Sequence, residues 1–327
     1  MHAILATEPG GPDVLEPDEI PDPLPGPRDL LVRLSAAGVN FIDTYRRSGV
    51  YAMPFPHVPG SEGAGVVEAV GREVREFAVG DLVAWASAPS SYAELVVVPE
   101  AVALRVPDGV ADEVAAALPL QGLTAHYLVT STFPVLEGQD VLVHAGAGGV
   151  GLLLTQLAAA RGARVITTVG TAEKEALSRA AGAAEVIRYT ELDDLTSELP
   201  ALVRDLTGGR GVHTVFDGVG ASTFDASLAS LRPRGGLALF GASSGPVPPF
   251  DPQRLNAAGS LFLTRPTLGH YTATRDELTR RADELFAAVA ADTLDVRVGA
   301  TYPLAEAAEA HRALEGRATT GKVLLTA

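Results

Sequence analysis

Residues 140–151 read DVLVHAGAGGVG, and this stretch decides the fold class. Its apolar start is typical of a buried strand, and Gly146, Gly148 and Gly151 follow with the spacing G-x-G-x-x-G. In that motif the first glycine permits a tight turn, the second lets the backbone approach a pyrophosphate, and the third lets a helix pack closely on the sheet. A glycine cluster alone would also suit an ordinary turn. The strand before it and the helical pattern after it favour a dinucleotide-binding loop.

Around this loop, β-branched runs alternate with helix-length segments rich in Ala and Leu. Such alternation predicts a parallel sheet with crossover helices, a doubly wound α/β fold of the Rossmann type. The predicted strands are residues 140–144, 163–169, 185–188, 212–216, 236–240 and 260–264. The predicted helices are residues 149–160, 172–181, 195–206 and 222–231. Four prolines predict a loop over residues 243–252.

The first third of the chain follows a different pattern, with short strand-like runs between Pro and Gly turns, which predicts a compact β domain. These strands are predicted at residues 29–37, 65–70, 81–86 and 92–98. Residues 40–47 interrupt them with a helical turn, for which Asn40 is a good N-cap. In the tail, helices are predicted at residues 276–290 and 304–314, and strands at residues 296–302 and 322–326. A length of 327 residues agrees with two domains.

The end of the second strand of the sheet distinguishes the two nicotinamide dinucleotides. An enzyme that uses NAD carries an Asp or Glu there, about 20 residues after the glycine loop, to bind the ribose 2′-hydroxyl. Here the strand ends in Val169, Gly170 and Thr171, and Lys174 follows closely. Glu173 points weakly the other way, and Lys174 would also suit a solvated helix start. The missing acid favours NADPH as the cofactor.

Composition excludes several classes of function. A formal net charge of −15 disfavours nucleic acid as a partner, and the sequence contains no cysteine for a disulfide, a thiol nucleophile or a thiolate metal ligand. No membrane-spanning run is apparent, so a soluble, cytoplasmic protein is expected. The histidines lack acidic or nucleophilic partners at motif spacing, which disfavours a hydrolytic site. These histidines are His126, His144, His213, His270 and His311.

Several ordered segments, together with the glycine loop, resemble the NADPH:quinone oxidoreductases, the ζ-crystallin-like branch of the zinc-free medium-chain dehydrogenase/reductase superfamily. These segments are residues 38–51 (GVNFIDTYRRSGVY), 59–71 (PGSEGAGVVEAVG), 170–174 (GTAEK), 264–266 (TRP) and 317–321 (RATTG). The resemblance implies a GroES-like, β-rich catalytic domain made of residues 1–122 and 266–327, with a Rossmann domain of residues 123–265 inserted. It also implies a homodimer.

The same resemblance indicates that no metal is bound. Zinc-containing relatives have a Cys where this chain has Asn40, and Gly-His-Glu where it has Gly60, Ser61 and Glu62. His57 stands alone and is not expected to bind a metal. Without a Lewis acid, alcohol oxidation lacks the group that generates the alkoxide, whereas a quinone accepts hydride readily.

The resemblance also assigns roles to individual residues. Asn40, Tyr45 and Tyr51 are the predicted catalytic residues, although the tyrosines would also suit packing at a loop edge. The nicotinamide end is predicted to involve Phe41, Ile42, Asp43, Thr124, Val219, Phe240, Gly241, Ser243, Thr264, Arg265 and Pro266. The pyrophosphate is expected at Gly146, Gly148, Gly149, Val150 and Gly151. The adenosine 2′-phosphate is expected near Gly170, Thr171, Lys174, Tyr189 and Arg317.

These observations lead to three functional hypotheses. The first is NADPH-dependent reduction of quinones by hydride transfer without a metal. The second is reduction of the C=C bond of enones or alkenals, which uses the same hydride geometry. The third is a non-enzymatic NADPH-binding protein with a structural or RNA-contacting role, against which the acidic charge speaks. The physiological acceptor, and reduction by one electron or two, stay open at this stage.

Overall fold

The computed structural model describes residues 1–327, and its strands form three sheets. The strands are β1 (His2–Ala6), β2 (Leu15–Glu19), β3 (Asp29–Val39), β4 (Glu62–Val70), β5 (Leu82–Trp85), β6 (Leu95–Pro99), β7 (Leu104–Arg105), β8 (Asp140–Val143), β9 (Arg164–Val169), β10 (Glu185–Arg188), β11 (Val212–Asp217), β12 (Leu231–Leu239), β13 (Phe262–Thr264), β14 (Val298–Pro303) and β15 (Lys322–Thr326).

Ten α-helices complete the secondary structure. They are α1 (Phe41–Arg47), α2 (Asp112–Ala117), α3 (Pro119–Tyr127), α4 (Gly149–Ala159), α5 (Ala172–Ala180), α6 (Leu195–Leu206), α7 (Phe224–Ser230), α8 (Gln253–Ala257), α9 (Arg275–Ala290) and α10 (Ala307–Glu315). None of them combines the length and the hydropathy that crossing a membrane requires.

Six strands form a parallel sheet in the order β10-β9-β8-β11-β12-β13. This is the strand order of a doubly wound dinucleotide-binding sheet, so the predicted α/β fold is confirmed. Val143 pairs with Thr167 on one side and with Phe216 on the other, which places the carboxyl ends of the three central strands together. Val141, Leu142 and Val143 are fully buried because helices cover both faces of such a sheet. The glycine loop therefore begins at the carboxyl edge of the sheet.

A seven-stranded sheet follows the order β14-β15-β3-β4-β5-β7, with β6 paired to β3. It encloses a second apolar core that includes Trp85 and Tyr92. Strand β15 comes from the end of the chain and pairs antiparallel with β3, so that Val323 lies opposite Val39. This pairing carries Lys322, the first residue of β15, to the turn at Asn40.

The chain forms two compact units. One contains Met1–Leu123 with Thr272–Ala327, and the other contains Thr124–Tyr271. The assignment of a catalytic role to residues 1–122 with 266–327, and of dinucleotide binding to residues 123–265, stays a prediction.

Three differences from the expected elements have physical causes. Strand β12 begins at Leu231, earlier than expected, because its pairing with β11 starts there and then shifts register. The start of the strand contains Pro and Gly, and Arg234 within it has a φ of +60°. Strands β1 and β2 were not expected, since β2 is polar and exposed and forms only by pairing with the chain start. The tail helix begins at Ala307 after a single 3-10 turn, Leu304–Glu306. The proline-rich segment after β12 forms a loop, as predicted.

Candidate active site

The glycine loop shows a different use for each of its glycines. A Cβ at Gly146 would lie 2.6 Å from Cβ of Thr167, and a Cβ at Gly151 would overlap the carbonyl oxygen of Ala145. At Gly148 the nearest atom would be that same oxygen at 3.3 Å, so the space beside it is more open. Gly148 is the N-cap of α4, whose first backbone N–H groups lack partners within the helix. The loop thus suits a pyrophosphate held at a helix N-terminus.

A buried hydrogen-bond network joins the strand end that precedes the glycine loop to the neighbouring strands and to α7. Ser227 Oγ donates to Asp217 Oδ2 at 2.7 Å, and the Nε2 atom of His144 lies 3.0 Å from the same Oγ. Because the single serine hydrogen is used on Asp217, His144 Nε2 must donate, and its Nδ1 accepts from Thr168 Oγ1 at 2.9 Å. Burial lowers the pKa of His144, in agreement with a neutral ring. The serine keeps its proton, so this His, Ser and Asp set is not arranged as a hydrolytic triad.

Asp217 extends this network to the next loop. Its Oδ1 accepts from the N–H groups of Val219, at 2.8 Å, and Gly220, at 3.0 Å. Phe240 N–H donates to the carbonyl of Asp217 at 2.8 Å, and Arg265 Nη1 donates to the carbonyl of Leu239 at 3.1 Å. The structure therefore gathers most of the predicted nicotinamide-side residues of this unit at the carboxyl ends of β11, β12 and β13. These residues are Val219, Phe240, Gly241, Ser243, Thr264, Arg265 and Pro266.

At the end of β9, the predicted 2′-phosphate residues of this unit lie side by side. Thr171 caps α5, its hydroxyl accepting from the backbone N–H of Lys174 at 3.2 Å. A Cβ at Gly170 would lie 2.8 Å from the hydroxyl of Tyr189, which places these two residues in contact. The fifth predicted member, Arg317, belongs to the other compact unit and has a φ of +56°.

In the other unit, Asn40 lies at the start of α1 with its carboxamide fixed in orientation. Its Nδ2 donates to Glu62 Oε2 at 2.7 Å, while its Oδ1 accepts from Lys322 Nζ at 2.8 Å. Lys322 also forms a short ion pair with Glu62, and both side chains are at most 1 % exposed. Glu62 Oε1 accepts the backbone N–H of Leu120 at 2.7 Å, so both carboxylate oxygens have partners. Gly38 leaves room for this pair, since a Cβ there would lie 2.7 Å from Lys322 Nζ.

The backbone of the same turn is held by Asp43. Its Oδ2 accepts from the N–H of Asn40 at 3.0 Å and from the hydroxyl of Tyr92 at 3.2 Å. Ser61 Oγ donates to Oδ1 at 3.2 Å, and Arg46 donates to that serine in turn. Asp43 is fully buried, and burial raises the pKa of its carboxyl to about 6, although the Asn40 N–H, the charges of Arg46 and Lys322 and the Ser61 hydroxyl act to lower it. Asp43 therefore supports the turn from inside.

The two predicted catalytic tyrosines form an aromatic pair. The ring centroids of Tyr45 and Tyr51 lie 5.5 Å apart in an edge-to-face arrangement, and Phe41 lies 6.3 Å from Tyr45. Tyr51 is 43 % exposed, so the pair is partly open to solvent. Such rings provide flat apolar contact together with a polar hydroxyl.

The donor set around Asn40 does not fit a zinc ion. Zinc requires Cys, His or carboxylate ligands, whereas Lys322 already places an ammonium group on both Asn40 Oδ1 and Glu62 Oε2. His57 lies apart from this set, with Nδ1 donating to the carbonyl of Pro54 at 2.9 Å and its ring packed on Phe55.

Sequence reasoning missed four side chains that organise these sites, namely Lys322, Tyr92, His311 and Asp217. Only Lys322 carried a signal, as one of two lysines in a chain with 25 basic residues. The remaining predicted residues are Ile42, within α1, and Thr124, buried in α3. The roles of all predicted site residues stay predictions.

Comparison with known proteins places this geometry in a family. Residues 26–108 match the alcohol dehydrogenase GroES-like domain, and residues 149–287 match the family described as zinc-binding dehydrogenase. The chain is 45 % identical over 318 residues to a quinone oxidoreductase of Pseudomonas aeruginosa, which covers 97 % of this chain and 96 % of the relative. It is also 40 % identical to a 2-haloacrylate reductase of a Burkholderia species, over 99 % of this chain and 98 % of the relative.

A solved mycobacterial structure in complex with NADPH is similar over the full length of both chains, with 56 % identity and a TM-score of 0.97. Similarity of this extent covers both compact units and all of the segments on which the resemblance was based. The chain therefore belongs to the quinone oxidoreductase family of the medium-chain dehydrogenase/reductase superfamily, as its sequence motifs predicted.

Proposed function

We propose that this protein is a quinone reductase that transfers a hydride from NADPH to a quinone without a metal ion. The observation that carries the proposal is the environment of Asn40. There a buried ammonium group, Lys322, occupies the carboxylate and amide oxygens at the position where zinc-dependent relatives hold their metal. A site of this kind suits an acceptor that needs no Lewis acid.

NADPH, when bound, supplies the hydride. Its pyrophosphate would be held by the N–H groups at Gly149 and Val150, because Gly148 leaves the approach to the helix N-terminus open. The 2′-phosphate would be held near Thr171 and Lys174, because β9 does not end in the Asp or Glu that would bind a ribose 2′-hydroxyl. A charge-assisted contact from Lys174 favours a dianion over a ribose hydroxyl.

The residues of the Asn40 turn would orient the reacting groups. The carboxamide of Asn40 is held in one orientation by Glu62 and Lys322, so it is preorganised before the substrate binds. The rings of Tyr45 and Tyr51 would hold the planar quinone, and a tyrosine hydroxyl would donate a hydrogen bond to the oxygen that gains charge as hydride arrives. One hydride and one proton from water convert the quinone into the hydroquinone.

The decisive experiment is a substrate panel. Steady oxidation of NADPH in the presence of benzoquinone and naphthoquinone is expected, with a lower rate for NADH at equal concentration. Absence of turnover across the quinone panel, with tight NADPH binding retained, would overturn the proposal and favour a binding protein.

A second candidate is reduction of a conjugated C=C bond. It is favoured by the similarity to a 2-haloacrylate reductase over nearly the whole chain. A single assay that compares quinones with alkenals and 2-haloacrylate separates the two. A higher kcat/KM for the alkene substrates would replace the first proposal by the second.

The assembly is proposed to be a homodimer. Strand β13 is at the edge of the parallel sheet, and its Phe262 is 59 % exposed, an unusual environment for a large aromatic side chain. Pairing of β13 with the same strand of a second copy would cover this edge. Light scattering on the purified protein tests the dimer, and a monomeric mass at assay concentrations would refute it. A cytoplasmic location stays a prediction.

A further inference from the structure

A chain of hydrogen bonds joins four buried residues and ends at the Asn40 turn. Arg47 Nη1 lies 2.9 Å from Nδ1 of His311, and His311 Nε2 lies 3.1 Å from the hydroxyl of Tyr92. That hydroxyl lies 3.2 Å from Asp43 Oδ2. Arg47, Tyr92, Asp43 and His311 are at most 2 % exposed, so water does not compete for these contacts. We refer to this series as the donor chain.

The chemistry of its first member sets the direction of the whole donor chain. A guanidinium group only donates hydrogen bonds, so Nδ1 of His311 must accept. The proton of a neutral His311 then lies on Nε2 and is donated to Tyr92, whose own hydroxyl proton is donated to Asp43. Every member thus gives a hydrogen towards the carboxylate, and the assignment of each proton follows without a choice.

Two members of the donor chain, Arg47 and Tyr92, are anchored by further contacts. Arg47 is held by Glu315, with Nη2 to Oε1 at 2.7 Å, and by the carbonyl of Gly10 at 3.1 Å. Tyr92 is held through its backbone, which donates to the carbonyl of Pro59 at 3.0 Å. Gly60 has a φ of +90°, and a Cβ there would overlap the Tyr92 ring, so the main chain passes directly against it.

We propose that His311 and Tyr92 are positioning residues for the reaction: the donor chain ends on Asp43 and keeps its carboxylate available to hold the backbone of Asn40. The proposal rests on the proposed function in so far as Asn40 lies at the reacting end of the cofactor. Neither His311 nor Tyr92 belongs to the residues expected to touch NADPH or quinone.

The need for such a device follows from the surroundings of Asp43. A fully buried carboxyl is easily protonated, and a protonated Asp43 would accept less strongly from the Asn40 N–H. The charged and titratable groups near it come from several elements. They are Arg46 and Arg47 on α1, Glu62 on β4, Tyr92 before β6, His311 and Glu315 on α10, and Lys322 on β15.

His311 is suited to its place because it remains neutral. Burial and the neighbouring Arg47 lower its pKa to about 3, so the ring does not become a cation in the range where enzymes of this kind are assayed. A cationic His311 would donate from both nitrogens and would lose the contact with Arg47. Glutamine could replace it in the same sense, because the amide oxygen accepts and the amide nitrogen donates. Leucine could do neither.

The test reads the protonation of Asp43 directly in the cofactor-free protein. The side-chain carboxyl resonance of Asp43 is followed against pH by carbon NMR, with Asp43→Asn to assign it. Tyr92→Phe removes the last donor and is expected to raise the apparent pKa of Asp43 by about one unit. His311→Leu is expected to raise it by less, and His311→Gln to return it to the parent value. Tyr302→Phe, at a half-buried tyrosine of the same unit, is the matched control and should leave it unchanged.

The kinetic readout should follow the same order. The acid limb of kcat against pH is expected to shift upward with the Asp43 pKa in Tyr92→Phe and His311→Leu, while KM for NADPH stays nearly constant. His311→Gln should restore the parent profile, which a purely structural role would not require. An unchanged Asp43 titration in Tyr92→Phe, or nitrogen shifts that place the His311 proton on Nδ1, would overturn the proposal. Lack of quinone turnover in the parent protein would instead refute the proposed function and leave the titration result valid.

Discussion

Nζ of Lys322 lies 2.8 Å from Oδ1 of Asn40, although 282 residues separate the two along the chain. The contact is buried, and the same ammonium group pairs with Glu62. A carboxamide whose oxygen faces a cation and whose nitrogen faces a carboxylate has only one favourable orientation. The turn that we predict to lie at the nicotinamide is therefore organised by a residue from the last strand of the protein.

Loss of Lys322 should destabilise the protein strongly. Lys322→Met leaves Glu62 buried without its cation, and breaking a buried pair in this way costs about 3–5 kcal/mol. The double variant Lys322→Met/Glu62→Gln removes both charges and is expected to regain a large part of that loss. Urea unfolding of the parent, the single and the double variants gives the three free energies. A double variant no more stable than the single one would contradict this account of the pair.

Two glycines of the dinucleotide loop should separate folding from binding. Gly151→Ala places a Cβ against the Ala145 carbonyl and should lower the free energy of unfolding by about 1–3 kcal/mol. Gly148→Ala meets nothing closer than 3.3 Å, so it should fold nearly as well as the parent but bind NADPH about 10-fold more weakly. Thermal unfolding and fluorescence titration with NADPH measure the two effects. Equal affinity of Gly148→Ala and the parent would argue against a pyrophosphate at this position.

Lys174 should discriminate between the two nicotinamide dinucleotides. Removing a charge-assisted contact to the 2′-phosphate in Lys174→Ala is expected to raise the KM for NADPH about 10-fold and to leave the KM for NADH almost unchanged. Glu173→Ala is the matched control on the same helix turn and should not raise the KM for NADPH. An equal change for both cofactors in Lys174→Ala would exclude a role at the 2′-phosphate.

The tyrosine pair should contribute through its hydroxyls as well as its rings. Tyr51→Phe and Tyr45→Phe keep the edge-to-face contact at 5.5 Å but remove one donor each. The variant that loses the catalytic donor is expected to show a kcat about 10-fold lower with benzoquinone and a KM close to that of the parent. Tyr302→Phe serves as control. If both variants keep the parent kcat, the tyrosines act only by stacking.

Asp43 and His311 should have opposite effects on the pH dependence of stability. Burial raises the pKa of Asp43 to about 6, so the folded protein holds this proton more tightly than the unfolded chain. The resulting contribution to the free energy of unfolding is complete below the ordinary carboxyl pKa of about 4 and is lost as the pH rises to 6. Burial lowers the pKa of His311 from 6.5 to about 3, so the folded protein favours the neutral ring. Its contribution to the free energy of unfolding is complete above pH 6.5 and is lost as the pH falls to 3. Between pH 4 and 6 the two slopes oppose each other.

Replacing either residue should reveal how the other makes the free energy of unfolding depend on pH. Relative to the parent, His311→Gln should lose about 1 kcal/mol per pH unit as the pH rises from 4 to 6, and Asp43→Asn should gain a similar amount. Urea unfolding at a series of pH values provides the comparison. Parallel pH profiles for the parent and both variants would show that neither group titrates differently in the folded protein.

Local chemistry made much of the parallel sheet predictable. The strand at Glu185–Arg188 and the helix at Leu195–Leu206 have the predicted bounds, because β-branched runs and helical periodicity are properties of neighbouring residues. The motif Gly146, Gly148 and Gly151 specified its own turn in the same way. Strand β2 could not be found by such reasoning, since a polar strand is stabilised only by its pairing with β1.

The sequence by itself determined the doubly wound fold, the glycine loop, the missing acid after β9 and the replacement of zinc ligands at Asn40 and Ser61. Each of these is a matter of residue type at short spacing. Only the tertiary structure decided which distant side chains support them: Lys322 beside Asn40 through the pairing of β15 with β3, and His311 beside Tyr92 through the packing of α10. Buried ion pairs and hydrogen-bond chains join residues that are far apart in the sequence and come into contact only in the folded protein, and no local sequence pattern predicts such contacts.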